Sequence, residues 1–214
     1  YEHKEYFDQS QKLADAIATE YDNLVLIGIG GRSMGARALY EIAGSISRPQ
    51  LHFLENVDTE NFESLWKNIS ISKDNLKKTA FLVISKSGST IEILWNYSFL
   101  ENLYAQQGLN FVNQCFFISD TNSNPISDLA HLHHRPLLPV PQDVGGRFSV
   151  LTPVGLVVAA ICGYNLEKMR QGAEAAVKAQ TIVSQSAQMF LNSFARKEDI
   201  TLFWFYHSDF RWFG

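Results

Sequence analysis

The chain has 214 residues, 46% of them hydrophobic and 19% charged, with a formal net charge of −4. That composition supplies a sizeable buried core and excludes a disordered tail. The acidic balance excludes a general attraction to nucleic acid or to anionic membrane surfaces, so any anion must be held by a local site.

Its two cysteines, Cys115 and Cys162, lie in the apolar stretches CFFIS and AAICG and read as buried core thiols of a reducing compartment. No run approaches the roughly 18 apolar residues of a membrane span, and no basic-then-apolar leader opens the sequence. A soluble, cytoplasmic protein is expected. Both ends read as cut: the chain opens on Tyr1 and stops at Gly214, just after the aromatic stretch Phe210-Arg211-Trp212-Phe213.

Residues 1–22 read as an N-terminal helical segment. Leu24 to Ile29 (LVLIGI) then forms a continuous apolar run closing on glycines, as a buried parallel strand does. Helical spacing follows over 33–46, a second strand over Leu51–Leu54 and a helix over 61–67. The clearest strand is Ala80–Ile84, with a helix over 90–106 after it. Cys115–Ile118 is a fourth strand, and the proline-broken stretch 135–140 is an edge fifth. This alternation predicts an α/β fold, a doubly wound five-stranded parallel sheet of flavodoxin-like order. After Val150 the pattern turns helical, over 152–162 and then 166–194, before a strand over 200–206. Residues 23–163 are expected as one domain, and 164–214 as the opening of a second, incomplete α/β domain.

Open α/β sheets bind ligands beyond the carboxyl ends of their strands, where loops enter helix N-termini. The first such loop is Gly28-Ile29-Gly30-Gly31-Arg32-Ser33-Met34-Gly35. Its glycines permit a sharp turn and bring amide hydrogens close to an anion. A dinucleotide fingerprint competes: Gly28 and Gly30 fit it, the third position is Ser33, and Glu55 stands where a ribose-binding acid would. From this loop alone, phosphate binding, dinucleotide binding and a structural tight turn all stay open.

The second loop, Ser85-Lys86-Ser87-Gly88-Ser89-Thr90, sets four hydroxyls and a lysine at a helix start. One hydroxyl suffices for capping, with Ser89 the expected N-cap. Four around one cation suit the three oxygens of a phosphate monoester, with Ser85, Ser87 and Thr90 the better placed and Lys86 steering the anion. A dinucleotide fold has no use for this second cradle. The third segment, Asp143 to Ser149, places Gly145 and Gly146 before Arg147. Two readings stay open there: a guanidinium aimed into a cleft, or a surface loop in which Arg147 pairs with Asp143. His131, His133 and His134 read as solvated loop histidines rather than metal ligands.

In this order the three segments resemble the glucose-6-phosphate isomerase family, whose members carry the sugar-isomerase (SIS) fold. The glycine loop is similar to GIGGRSMG, the S-K-[ST]-x-[ST]-T-x-E-T loop to Ser85–Ile93, and V-G-G-R-[FY]-S is present as Val144–Ser149. The resemblance implies a substrate-binding set of Gly30, Gly31, Ser33, Ser85, Lys86, Ser87, Ser89, Thr90 and Gly146. It implies Arg147 as the catalytic group that stabilises an enediolate while a proton moves between C1 and C2 of the opened sugar. The substrate is a sugar phosphate, no metal or organic cofactor is implied, and the full-length protein is expected as a homodimer without nucleic-acid or membrane partners.

Two departures stand out. Arg32 occupies the position where the family has serine. The family's base, the glutamate of a Q-x-x-x-E-S-x-G-K segment, has no counterpart in these residues, so the chain alone is expected to be inactive. The alternatives are a non-catalytic phosphosugar-binding regulator and, third, a nicotinamide-dependent oxidoreductase.

Overall fold

Strand composition decides the architecture. β1 (Asn23–Ile27), β3 (Thr79–Ile84) and β4 (Cys115–Ser119) are buried at every residue, as strands covered on both faces must be. The structure, a computed structural model, describes residues 3–44, 49–198 and 200. β2 (Gln50–Leu54) and the short β5 (Leu137–Pro139) complete an all-parallel sheet in the order β2-β1-β3-β4-β5.

Alternate residues of each strand feed opposite layers. Leu24, Leu26, Ala80, Leu82, Ile84, Phe116 and Ile118 face α1 (Lys4–Glu20), α2 (Met34–Ala43) and α7 (Pro153–Ile161). Val25, Ile27, Phe81, Val83, Cys115 and Phe117 pack against α3 (Thr59–Ile69), α4 (Lys73–Lys77), α5 (Ile91–Gln106) and α6 (Pro125–Leu132). The three-layer sandwich expected from the βα alternation is therefore present.

α7 is the least surface-like helix. Every residue but Ala160 is buried, so it is apolar all round and sits as a core element rather than an amphipathic cover. Thr152 caps it and Pro153 opens it. The 166–194 pattern divides into α8 (Leu166–Lys178) and α9 (Gln180–Ala195) at Ala179, whose ψ of 55° leaves the helix. No glycine or proline marks that break in the sequence. The short α4 and α6 were not evident from periodicity because each spans at most eight residues. The strand expected over 200–206 lies, apart from Ile200, outside the described residues.

Gly155, inside α7, separates helix propensity from packing. A Cβ there would stand 2.3 Å from the Val150 carbonyl oxygen. Propensity alone favours alanine by about 1 kcal/mol, yet overpacking costs about 1–3 kcal/mol, and packing should win. Gly155→Ala is expected to lower the urea midpoint; a raised midpoint would show that the Val150 turn yields easily.

Candidate active site at the sheet's switch point

β1 and β3 are neighbours, with β2 outside β1 on one flank and β4 and β5 on the other. The connections leaving β1 and β3 thus diverge, and a crevice opens beyond their carboxyl ends, where this sheet order places its ligand. The dinucleotide alternative requires the order 3-2-1-4-5-6, in which β1 and β3 are separated. Glu55, the candidate ribose acid, forms a close ion pair with Arg37, whose guanidinium also lies 4.4 Å above the Phe53 ring. Both observations turn the first loop away from dinucleotide binding.

The two expected loops occupy the crevice. After β1, Gly30–Arg32 makes a 3₁₀ turn and Ser33 begins α2. Ser33 is fully buried, and its Oγ donates to the Gly30 carbonyl at 3.1 Å rather than capping the helix. After β3, Ser85 is fully buried with its Oγ 3.1 Å from Thr90 Oγ1, while Ser87 and Ser89 are exposed. Thr90, not Ser89, is the N-cap residue of α5, and its side chain bonds no helix amide. The one-residue shift arises because Gly88, at φ +65°, tightens the loop. Any Cβ at Gly88 would fall 1.7 Å from Asn124 Oδ1.

A pattern in the helix caps supports an anion site. Asp58, Ser72, Asn124, Thr152 and Asn165 cap α3, α4, α6, α7 and α8 with side-chain oxygens. α2 and α5, which begin at the crevice, have hydroxyl residues at their N-caps yet no side-chain cap bond; α1 and α9 also lack one, but their N-cap residues His3 and Ala179 carry no hydroxyl. Their first-turn amides and positive dipole ends therefore face a region suited to an external anion.

The third segment joins the first through backbone contact. A Cβ on Gly31 would lie 2.4 Å from the carbonyl carbon and oxygen of Gly146, and 2.7 Å from the Arg147 amide nitrogen. Ser149 Oγ sits 2.7 Å from the Gly146 oxygen and 3.2 Å from the Gly31 oxygen, seaming the two turns together. Arg147 is exposed beside this seam, and no Asp143–Arg147 ion pair is present among the described residues. The surface-loop alternative thus loses its proposed partner.

Lys86 reaches across from the second loop to the third. Its Nζ donates to the Gln142 carbonyl in a short contact and to the Val144 carbonyl at 2.9 Å. Sequence reasoning missed this strut because its acceptors are backbone atoms. It also missed Asn124, whose Oδ1 accepts from the Ile126 and Ser127 amides and from Ser119 Oγ while buttressing Gly88. The signal available was the Asn124-Pro125 pair, a helix-start signature. The three histidines are exposed, and no group able to hold a metal ion occurs among the described residues. Nor is any described helix long and apolar enough to cross a membrane.

A family model described as phosphoglucose isomerase matches residues 7–190. The chain belongs to the phosphoglucose isomerase family. It is 32% identical over 202 residues to glucose-6-phosphate isomerase of Mycoplasmoides gallisepticum, covering 88% of this chain and 46% of that protein. The crystal structure of a Chlamydia trachomatis glucose-6-phosphate isomerase aligns with a TM-score of 0.63 at 26% identity, over 74% of this chain and 29% of the other. A hypothetical protein of Thermus thermophilus aligns at 0.71 and 31% identity, over 82% and 41%. The chain spans less than half the length of the curated relatives it matches, 36% in one case and 46% in another.

The strut can be tested directly. Lys86→Met removes both carbonyl contacts and should raise hydrogen–deuterium exchange in the 142–149 segment, leaving β3 amides protected. Unchanged exchange there would show that the Gly31–Gly146 seam alone holds the loop.

Proposed function

We propose that this chain supplies the phosphosugar-binding domain, residues 23–163, of a glucose-6-phosphate isomerase, which interconverts glucose 6-phosphate and fructose 6-phosphate. The observation that carries this is the convergence at one switch point of two helix N-termini without side-chain caps and the hydroxyl-rich 85–90 loop. A phosphate dianion is the complement of such a set: it accepts several short bonds at once and gains from both dipoles. Ser85, Ser87, Ser89 and Thr90 would grip it, with the amides around Gly30, Gly31 and Ser33 on the opposite wall.

In this reading the sugar extends from the phosphate toward Gly146 and Arg147. A proton leaves C2 and one returns to C1, and the intervening enediolate carries negative charge on oxygen. A guanidinium whose backbone is held at the Gly31–Gly146 contact would stabilise that charge. Of the carboxylates around the loops, Glu55 is engaged by Arg37 and Asp120 by the Asn122 amide at 3.0 Å, while Asp143 is exposed on the third segment. The family resemblance places the proton-transferring base in a segment with no counterpart in these residues, and in this reading the chain alone binds without turnover. We read the whole protein as a cytoplasmic homodimer with no nucleic-acid or membrane partner.

Calorimetric titration with fructose 6-phosphate, and with fructose as the uncharged control, tests the assignment. Binding is expected for the phosphate ester alone. The double substitution Ser87→Ala with Thr90→Ala should weaken it by about 100-fold or more, at about 1.5–3 kcal/mol for each hydrogen bond to a charged group. Equal affinity for fructose, or a double variant that binds as well as the parent, would refute the cradle.

A further inference from the structure

Cations near the crevice are not equally available. Lys86 is the obvious partner for a phosphate by position in its loop, yet its ammonium already donates to two backbone carbonyls of the third segment. Releasing it would free that segment and leave the Gln142 and Val144 oxygens to find water. Arg147 is exposed and stands at the far side of the Gly31–Gly146 seam.

Arg32 differs from both. It closes the 3₁₀ turn Gly30–Arg32 directly beyond β1 and immediately precedes Ser33, the first residue of α2's start. The side chain is half-buried, and its Nε is buried with no hydrogen-bond partner. No carboxylate pairs with it among the described residues, whereas Arg37, one turn further along, pairs with Glu55. Burial holds the guanidinium below its usual range without any opposing negative charge. A partly buried cation lacking a counter-charge is costly, because desolvation is not compensated. A guanidinium is also the side chain best matched to phosphate, presenting paired donors to two oxygens where an ammonium offers a point charge.

We propose that Arg32, rather than Lys86, is the cation that neutralises the phosphate of the bound ligand, and that Lys86 is a positioning residue holding the third loop. The proposal rests on the sugar-phosphate reading above and divides its labour: β3's loop supplies hydroxyls, β1's loop supplies charge. It explains why a loop that otherwise relies on glycines and a buried serine carries an arginine. It also predicts that the dianion is bound in preference to the monoanion, because a fixed positive charge rewards the second negative charge.

The test is titration of the full chain with inorganic phosphate and with fructose 6-phosphate, across a series of salt concentrations. Four proteins are compared: the parent, Arg32→Gln, Arg32→Lys and Lys86→Met. Arg32→Gln should weaken inorganic phosphate by about 10-fold or more and flatten the salt dependence, with Arg32→Lys recovering part of both. Lys86→Met should leave inorganic phosphate within about 5-fold while weakening the sugar ester through the loosened third segment. Circular dichroism confirms folding, and Arg32→Lys, which keeps charge and bulk, carries the comparison should Arg32→Gln unfold. Parental phosphate affinity in Arg32→Gln, or a greater loss of phosphate affinity in Lys86→Met than in Arg32→Lys should Arg32→Gln unfold, overturns the proposal. So does a loss in Lys86→Met as large as in Arg32→Gln. A parent that binds neither ligand instead removes the sugar-phosphate reading itself.

Discussion

The contact between the backbones of Gly31 and Gly146 is the constraint on which the site depends. These residues lie 115 positions apart in the chain, and no side chain fits between them. Because they touch, the turn after β1 and the turn before α7 behave as one rigid unit, with Ser149 stitching the two carbonyls. The backbone of Arg147 is then held against the turn after β1 by main-chain contact. The buried α7 fixes the other end of that unit, since its apolar surface has no other place in the fold.

Lys86 closes the arrangement from the second side. With Gly31–Gly146 on one flank and the lysine–carbonyl strut on the other, the third segment is tied to both switch-point loops. Three stretches far apart in sequence are thereby held together at one end of the sheet. Such preorganisation is what electrostatic stabilisation requires, because donors that must reorganise during reaction lose much of their effect.

Much of the scaffold was legible from residue order. LVLIGI and AFLVI read as strands covered on both faces, and the glycine and hydroxyl runs behind them mark the loops that leave β1 and β3. What escaped was everything mediated by backbone acceptors or by a single side chain acting at a distance. The partners of Lys86 are carbonyls, which carry no sequence signature. The role of Asn124 depends on the approach of Gly88, which periodicity cannot express. The displaced N-cap, Thr90 in place of Ser89, followed from a left-handed glycine whose φ is a property of the folded loop. The Asp143–Arg147 pairing was equally consistent with the letters, and only geometry shows that it is not formed among the described residues.

The unequal capping of the helices has a thermodynamic consequence. α3, α4, α6, α7 and α8 complete their first turns with their own residues, so their stability is independent of solutes. α2 and α5 have no such side-chain completion, and an anion of the kind proposed above would supply it. Folding and occupancy are then linked by mass action: a ligand at 100 times its dissociation constant adds about 2.7 kcal/mol to the folded state. For a domain whose net stability is on the order of 5–15 kcal/mol, that is a substantial share. With the proposed sugar phosphate bound there, the folded fraction of this chain would track that compound's concentration, and proteolysis would quicken where it is scarce.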